Sequence, residues 1–303
     1  MESKTAPWAD NLLMQACGVS AQDLPPGALY VVGLPIGNAA DITLRALWTL
    51  ARVDAIAAED TRETRKLLDR FGISTPSLAV HEHNERSAAE KIVERLRAGE
   101  RIALVSDAGT PAVSDPGARV VRVVLDAGLR VVPVPGASSG ITALSAAGLV
   151  PGGFAFVGFL PTGAKQREKR VREQAARGEA FILFEAPHRI LALARELGLW
   201  LEPQRRVVFA RELTKKFETF ETVAAGDLES WAATHEARGE YVVLVDLLPA
   251  AEAAVEIDDS TRRWLALLAD ELPASRAAAV AAKATGLPRD ILYRELSGRG
   301  AAG

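Results

Sequence analysis

Cysteine is almost absent from this sequence, and its scarcity excludes two kinds of site. The one thiol, Cys17, cannot form an intrachain disulfide. A zinc site normally takes several cysteine or histidine ligands. The four histidines include one close pair, His81 and His83, which we do not expect to bind a metal because no further ligand stands at the right spacing. The sequence therefore predicts neither a disulfide framework nor a metal site.

Long apolar runs and a large excess of one charge are also missing. No run approaches the roughly 18 apolar residues that a membrane-spanning helix needs, and residues 1–26 lack the basic start and apolar core of a signal peptide. The formal net charge is only −3, so a nucleic-acid partner would need a local cluster of Lys and Arg. We therefore expect a cytoplasmic protein without a membrane partner.

The length and the hydrophobic content are those of a folded protein with more than one domain. With 303 residues, 49% of them hydrophobic, the chain can bury a core in each of two domains. Residues 1–26 are weakly patterned and predict an N-terminal extension. In residues 27–135, short apolar runs alternate with helical stretches, which predicts an α/β domain with a mainly parallel sheet covered on both faces.

The second half has a different pattern. Residues 136–249 contain strand candidates, some joined by links too short for a helix, so we expect antiparallel pairing in a second, mixed α/β domain. Residues 258–303 predict three short helices with helix-turn-helix spacing, in which Gly286 makes the turn and Pro288 starts the last helix.

Two helix starts are predicted from local signals in the first domain. Ser87 and Glu90 match a capping box, which opens a helix. Asp115 stands directly before Pro116, an order typical of a helix that aspartate caps and proline begins.

The most informative segment is VSDAGTPAVSDPG, residues 105–117, which follows an apolar strand. Small residues let backbone groups approach a ligand, and Asp107 adds a carboxylate at the strand end. Ligands of open α/β sheets bind outside the carboxyl ends of the strands. A plain turn with a helix cap is the alternative, but two Asp, two Ser and one Thr exceed what a turn needs. The segment therefore predicts a ligand cradle.

Three further strand ends carry small or charged residues. GLPIGN (33–38) lacks both GxGxxG and GxxxxGK[ST], so it implies no nucleotide phosphate, and a simple turn is its alternative. AEDTR (58–62) brings two carboxylates and an arginine, although acidic residues also suit a helix N-terminus. PGASSG (135–140) is another small-residue turn. Together the four loops predict a crevice along one sheet edge.

Basic and aromatic residues follow strands of the second half. KQREKRVR (165–172), FEAPHR (184–189) and FARELTKKF (209–217) each mix cations with other residues. A solvated helix face is the usual meaning of a charge run. Three such runs beside a small-ligand crevice favour an anionic partner.

Taken together and in order, these motifs resemble one family. GLPIGNAADITLRAL, AEDTR, HEHNE, SDAGTPAVSDPG, PVPGASS, FEAPHR, ARELTKKFE and GEYVVLV are similar to ribosomal RNA small subunit methyltransferase I. That family belongs to the tetrapyrrole-methylase-like group of S-adenosylmethionine-dependent methyltransferases. The resemblance covers about residues 27–248, and the helices of 258–303 look like the family's C-terminal extension.

The resemblance implies an activity and its partners. It implies a homodimeric two-domain enzyme that binds S-adenosylmethionine between its domains. The implied reaction is methylation of the ribose 2′-hydroxyl of a cytidine in the decoding region of 16S rRNA, in the small ribosomal subunit. Because this cofactor has no phosphate, the missing phosphate loop agrees with it. By similarity, the cofactor-binding residues are Pro35, Asp107, Ala108, Gly109, Thr110, Val113, Ser138, Ser139 and Leu183.

The chemistry suggests further roles. Methyl transfer is an in-line displacement for which positioning supplies much of the rate, and a weakly acidic ribose hydroxyl benefits from a base. Glu59 and Asp60 are our candidates for that base, with Arg62 orienting the substrate or stabilising charge; His188 and Lys215 are second choices. Asp107 is expected to hold the cofactor loop in place. The expected RNA contacts are Lys165, Arg167, Lys169, Arg170, Arg189, Lys215 and Lys216.

Two alternatives remain at this point. A methylase of the same fold could act on a tetrapyrrole carbon, but it would need neither a basic surface nor a helix-turn-helix tail. A non-catalytic regulator could use the tail to bind DNA, but that leaves four small-residue loops unexplained.

Overall fold

The chain divides into two units, Met1–Leu247 and Leu248–Gly303. The larger unit contains two five-stranded sheets. The structure is a computed structural model. It describes residues 12–81, 84–149, 152–248, 257, 259–285, 287, 289, 292–293 and 295–296.

The first sheet is parallel throughout, as the alternating pattern predicts. Its strand order is β3-β2-β4-β1-β5, so all five strands end at the same edge. The central strands are apolar along their whole length because both faces are covered. The strands are β1 (Ala28–Val32), β2 (Ala55–Ala58), β3 (Ser77–Ala79), β4 (Ile102–Val105) and β5 (Arg130–Val134).

Helices pack on both faces of this sheet. Successive residues of β1 point to opposite sides: Tyr30 packs in a core with Leu47 and Leu50, whereas Leu29 packs with Ile92 and Val120 on the other face. The helices of this part are α1 (Leu12–Ala16), α2 (Leu44–Arg52), α3 (Thr61–Arg70), α4 (Glu85–Arg97) and α5 (Ala118–Asp126).

The predicted capping box at Ser87 is wrong. Helix α4 begins at Glu85, so Ser87 lies inside the first turn, where its hydroxyl donates to the carbonyl of Asn84 at 3.1 Å. The short polar side chain bonds back to its own turn instead of capping it.

The predicted start of α5 is also wrong. This helix begins at Ala118, beyond Asp115 and Pro116. The backbone N–H groups at its N-terminus are capped by a residue of another helix. One carboxylate oxygen of Glu85, on α4, accepts from the N–H groups of Gly117 and Arg119, both at 3.0 Å. A carboxylate at a helix N-terminus is favoured by the helix dipole.

The second sheet is mixed, as expected. Its order is β6-β7-β10-β8-β9, and only β6 and β7 are parallel. The register between β6 and β7 shifts at Gly158. The strands are β6 (Phe154–Phe159), β7 (Ala180–Glu185), β8 (Arg206–Arg211), β9 (Thr219–Ala224) and β10 (Tyr241–Val245).

Four helices accompany this sheet, and one of them follows directly from the first sheet. The chain leaves β5, crosses through residues 135–138 and enters α6, whose Ala143 packs against Ile182 and Leu244 of the second sheet. Ile36, from the loop after β1, joins the same cluster. The helices are α6 (Ser139–Ala146), α7 (Ala164–Ala175), α8 (Pro187–Trp200) and α9 (Leu228–Thr234).

The smaller unit contains α10 (Asp259–Glu271) and α11 (Ala274–Thr285). Leu265, Ala278, Ala281 and Leu292 form its core. The predicted turn at Gly286 and the helix start at Pro288 lie outside the described residues. None of the helices in the described part of the chain has the length and apolar content to cross a membrane.

Candidate active site

Two glycines bring the loops after β1 and β5 into backbone contact. A Cβ atom added to Gly33 would lie 2.8 Å from the Cα of Gly136, and one added to Gly136 would lie 2.6 Å from the carbonyl oxygen of Gly33. Real Cβ atoms do not approach backbone this closely, so neither position accepts a side chain without movement. The glycines of the GLPIGN and PGASSG motifs therefore let two strand-end loops touch.

The SDAGTP loop after β4 is fastened to both of these loops. The N–H of Leu34 donates to the carbonyl of Gly109 at 2.8 Å. The hydroxyl of Thr110 donates to the carbonyl of Ala137 at 3.1 Å. Pro35 is buried beside this junction, whereas Ala108 is exposed. Three of the four predicted loops thus form one hydrogen-bonded cradle.

The end of the same loop reaches the second sheet. Ala112 and Ser114 have left-handed backbone conformations, with φ of 66° and 64°, which are uncommon for residues with side chains. A Cβ atom on Gly158 would lie 2.6 Å from the hydroxyl oxygen of Ser114. Val113, between the two left-handed residues, is 41% exposed. The strained turn therefore places Val113 at the surface, where the loop approaches the bulge of β6.

Four carboxylates, those of Glu59, Asp60, Asp107 and Asp115, gather where β2 and β4 end. Burial, followed by the nearby carboxylates of Asp107 and Asp115, raises the pKa of Glu59, although a hydrogen bond from the backbone of Asp107 opposes the rise. Burial also raises the pKa of Asp115, against a hydrogen bond from the hydroxyl of Ser106. A carboxylate with a raised pKa is a stronger base once it is ionised.

Asp60 has a different environment from Glu59. Its carboxylate caps α3 by accepting from the N–H of Arg62 at 2.7 Å. Its own N–H donates to the carboxylate of Asp107 at 2.9 Å. Asp107 thus links the end of β2 to the loop after β4, which agrees with the positioning role expected for it. The side chain of Arg62 is exposed.

A cavity of about 320 Å³ lies where the loop after β1 meets the second sheet. This volume is at the lower end of the range for small-molecule sites. Ile36 and Ser139 line one side, and the rest is mostly aromatic or apolar, with the carboxylates of Glu185 and Glu240 among the lining groups. Ser138, one residue before Ser139, occupies the N-cap position of α6. The apolar and aromatic residues in the wall include Phe159, Phe184, Leu213 and Tyr241.

Leu183 does not line this cavity. Its side chain is fully buried in the core on the other face of the second sheet, with Ile190 and Leu193. The residues that follow it, Phe184 and Glu185, line the wall instead. The end of β7 thus reaches the cavity, but the alternation of side chains along the strand turns Leu183 away from it.

A second cavity, of about 250 Å³, adjoins the first and contains two of the predicted RNA contacts. Arg167 pairs with Glu196, its Nε lying 2.8 Å from the carboxylate. Arg189 pairs with the buried carboxylate of Glu185 at 3.1 Å. Glu185 lines both cavities. Each arginine therefore already has a carboxylate partner within the protein.

Lys215 also has carboxylate partners. Its ammonium lies 3.0 Å from Glu212 and 3.1 Å from Glu240. Burial lowers the pKa of Lys215, but the hydrogen bonds to these two carboxylates outweigh burial and raise it, so this lysine stays protonated and is unsuited to act as a base. His188, the other second choice for the base, is exposed, and so are the remaining predicted RNA contacts, Lys165, Lys169, Arg170 and Lys216.

Sequence reasoning missed two members of the site. Asp115 was interpreted as a helix cap, yet it joins the carboxylates around Glu59. Glu185 lies in the FEAPHR motif, but nothing local distinguishes its buried carboxylate from an exposed one. Within the described residues, no group of three or more His, Cys, Asp or Glu could hold a metal ion. His83 lies outside them.

Comparison with known proteins identifies the family of this chain. Residues 28–229 match the tetrapyrrole (corrin/porphyrin) methylases, and residues 255–297 match the RsmI C-terminal HTH domain. The chain belongs to the tetrapyrrole methylase family. The expected fold class and the expected enzyme class, a methyltransferase that depends on S-adenosylmethionine, are confirmed, and the non-catalytic alternative is wrong.

Within that family, the chain is similar to proteins named ribosomal RNA small subunit methyltransferase I. The one from Mesorhizobium japonicum is 48% identical over 92% of this chain and 94% of its own length. The one from Pseudomonas aeruginosa is 46% identical over 89% of this chain and 96% of its own. The family resemblance stated from the motifs is therefore confirmed.

A solved structure shares the fold at low identity. Uroporphyrin-III C-methyl transferase from Thermus thermophilus, complexed with S-adenyl homocysteine, aligns with a TM-score of 0.53 and 20% identity, covering 72% of this chain and 97% of the other.

Proposed function

We propose that the protein methylates the ribose 2′-hydroxyl of a cytidine in the decoding region of 16S rRNA, within the small ribosomal subunit. The names of its relatives support a small-subunit ribosomal RNA as the substrate. The observation that carries the reaction is the environment of Glu59, a half-buried carboxylate with a raised pKa beside the three-loop cradle.

The cradle fits S-adenosylmethionine. Backbone contact between Gly33 and Gly136 closes one side of the cradle without side chains. The adjoining cavity has apolar and aromatic walls suited to an adenosine. The bound cofactor supplies a methyl group on a positively charged sulfur. We place it against Pro35, residues 107–110, Val113 and residues 138–139.

The residues of this chain then position the hydroxyl and accept its proton. We assign the base to Glu59, because burial and three neighbouring carboxylates make it more basic than an ordinary glutamate. Asp60 is the weaker candidate since its carboxylate caps α3. Arg62, exposed at the first turn of α3, can contact the RNA near the reacting sugar.

The exposed cations provide the surface for RNA. Lys165, Lys169 and Arg170 lie on α7 and Lys216 lies in the loop between β8 and β9, so we assign them to phosphate contacts. We assign Arg167, Arg189 and Lys215 to the support of that surface, because the side chain of each is mostly buried and paired with a carboxylate.

Two further properties complete the proposal. We place the protein in the cytoplasm, where ribosomal subunits are found. We also retain the homodimer implied by the family resemblance; light scattering should then give about twice the chain mass of 32.3 kDa.

A labelling experiment tests the substrate class. The purified protein is incubated with radiolabelled S-adenosylmethionine and, in separate reactions, with small subunits that lack the modification, naked 16S rRNA or uroporphyrinogen. We expect label in the ribosomal RNA of the assembled subunits or the free RNA. Label found only in the porphyrin would contradict the proposal and favour the tetrapyrrole alternative.

A further inference from the structure

A large aromatic side chain stands exposed on the loop between β8 and β9. Phe217 is 64% exposed, and this loop, residues 212–218, is closed by the pair Arg211 and Thr219 at its base. An exposed Phe ring is less favourable in free energy than a buried one. Single exposed apolar residues are common, so its surroundings decide whether this one has a role.

The loop that carries the ring is held rigidly. Within it, the N–H of Lys215 donates to the carbonyl of Glu212 at 2.9 Å, and the N–H of Glu218 donates to the carbonyl of Lys215 at 3.2 Å. The N–H of Thr214 donates to the carboxylate of Glu218 at 2.5 Å. A ring on a pre-ordered loop loses little conformational entropy when it binds a partner.

The loop is also fastened to the cofactor cradle. The hydroxyl oxygen of Thr214 accepts from the N–H of Asn38 at 3.0 Å, and a Cβ atom on Gly37 would lie 2.7 Å from the Cγ of Lys215. Leu213, the residue before Thr214 and four residues before Phe217, lines the cavity of about 320 Å³. The loop that carries Phe217 therefore contacts the cradle.

A cation accompanies the ring. The ammonium of Lys216 lies 5.5 Å from the centre of the Phe217 ring. A flat apolar face next to a positive charge suits a nucleotide, whose base stacks on the ring while its phosphate meets the cation. Unstacked bases in RNA loops are commonly recognised in this way.

Two other exposed aromatic rings of the second sheet contact a third ring. Phe156 and Phe159 lie on β6, and both pack edge-on against Phe184, at centroid distances of 5.1 and 5.7 Å. These contacts favour a structural role for the pair. Phe217 lies next to β9, at the edge of the sheet opposite to β6. These ring contacts therefore do not involve it.

We propose that Phe217 stacks on a base of the substrate RNA close to the methylated nucleotide, with Lys216 at the adjoining phosphate. This inference rests on the proposed function, since it takes RNA as the substrate. It assigns Phe217 to substrate binding and leaves the cofactor to the cradle.

Four variants of one position test the stacking. Phe217→Ala removes the ring, Phe217→Leu keeps an apolar side chain without an aromatic face, and Phe217→Tyr and Phe217→Trp keep the face. Phe154→Ala is the matched control, because Phe154 is also exposed but lies at the opposite, amino end of β6. The measurements are KM for unmodified small subunits and Kd for S-adenosylmethionine.

We expect Phe217→Ala and Phe217→Leu to raise KM by about tenfold, the size of a base–aromatic stacking contribution. The Tyr and Trp variants should stay within about twofold of the wild type. Affinity for S-adenosylmethionine should be unchanged in all of them, and Phe154→Ala should behave as the wild type.

Other outcomes would overturn the inference. A wild-type KM for Phe217→Leu together with a raised KM for Phe217→Ala would indicate an apolar contact with a ribosomal protein. A wild-type KM for Phe217→Ala would remove Phe217 from substrate binding.

A binding measurement separates this inference from the proposed function. A fluorescently labelled, single-stranded oligoribonucleotide with the decoding-region sequence needs no turnover. If the wild type fails to methylate subunits but Phe217→Ala still weakens binding of this RNA, the stacking inference stands and the proposed reaction falls. Equal binding by Phe217→Ala and the wild type would refute the stacking.

Discussion

The two sheets bring different chemistry to the site. At the edge of the first sheet lie glycines in backbone contact and four carboxylates, of which Glu59 and Asp115 have raised pKa values. At the second sheet lie aromatic rings and cations, several already paired with carboxylates, such as Lys215 with Glu212. The first edge is built for binding and proton transfer, and the second for holding a larger, anionic partner.

The difference follows from how each sheet is connected. In the parallel sheet all strands end at one edge, so loops distant in sequence meet there and their small polar residues form a single cradle. In the mixed sheet, the antiparallel strands β8 and β9 are consecutive in the chain, and the loop of residues 212–218 joins them. The comparison leads to four predictions, from the largest expected effect to the smallest.

Replacement of the proposed base should have the largest effect. Glu59→Gln keeps the size and the hydrogen-bond acceptor but cannot take a proton, so kcat should fall by about 10²–10⁴-fold with little change in S-adenosylmethionine affinity. The control is Glu63→Gln, an exposed glutamate on α3 that pairs with Lys66 and should leave kcat unchanged. Wild-type turnover by Glu59→Gln would mean that the acidic edge is not the catalytic one.

The cradle should be sensitive to one added methyl group. Gly136→Ala places a Cβ 2.6 Å from the carbonyl oxygen of Gly33, and overpacking of this kind costs about 1–3 kcal/mol. We expect S-adenosylmethionine binding, measured by calorimetry, to weaken by roughly tenfold or more. Gly153→Ala is the control, since its Cβ would meet only the flexible carboxylate of Glu179 at 3.4 Å. Equal affinity in both variants would show that the glycine contact does not shape the cofactor site.

The pH dependence of kcat should report the carboxylates of the first sheet. Burial and the carboxylates of Asp107 and Asp115 raise the pKa of Glu59, so the active, ionised base should appear at a higher pH than for an ordinary glutamate. Activity should be lost as the pH falls through that raised value. Asp115→Asn removes one repelling charge and should move the acidic limb to lower pH.

The control for this shift is Asp126→Asn, at the end of α5, where Asp126 pairs with Arg122. It should leave the acidic limb in place. An acidic limb that stays fixed in Asp115→Asn, or that moves to higher pH, would contradict the coupling between Asp115 and Glu59.

The cations of the second half should separate into two groups. Lys169→Ala and Lys216→Ala should each reduce the dependence of RNA binding on salt, by about 0.7–0.9 in the slope of log K against log salt concentration. Arg167→Ala should instead lower thermal stability, because it leaves the half-buried Glu196 without its partner, a loss of about 1–3 kcal/mol. If both lysine variants have the same slope of log K against log salt concentration as the wild type, these lysines do not contact the RNA.

Much of the fold could be predicted because its causes are local. The apolar strands of the first sheet and the helices between them follow a regular alternation, and the short links of the second half leave antiparallel pairing as the simplest solution. The glycine-containing loops at the strand ends were recognisable for the same reason, since the residue types themselves describe what the backbone must do.

The parts that could not be predicted depend on distant residues. Glu85 caps α5 from another helix, which leaves Asp115 available to the carboxylates around Glu59. Nothing near Lys215 in the sequence indicates its pairing with Glu240, which approaches from the start of β10. Leu183 was included in the site through the family resemblance, whereas the direction of its side chain depends on which face of the sheet becomes core.

The position of the transferred methyl group tests the account most directly. Small subunits are labelled with radioactive S-adenosylmethionine, and their 16S rRNA is then hydrolysed completely in alkali. A 2′-O-methyl group removes the hydroxyl that alkaline cleavage requires, so we predict the label in one alkali-resistant dinucleotide that begins with cytidine, and no such product with Glu59→Gln. Label released as a mononucleotide methylated on its base would contradict both the proposed reaction and the role assigned to the carboxylates of the first sheet.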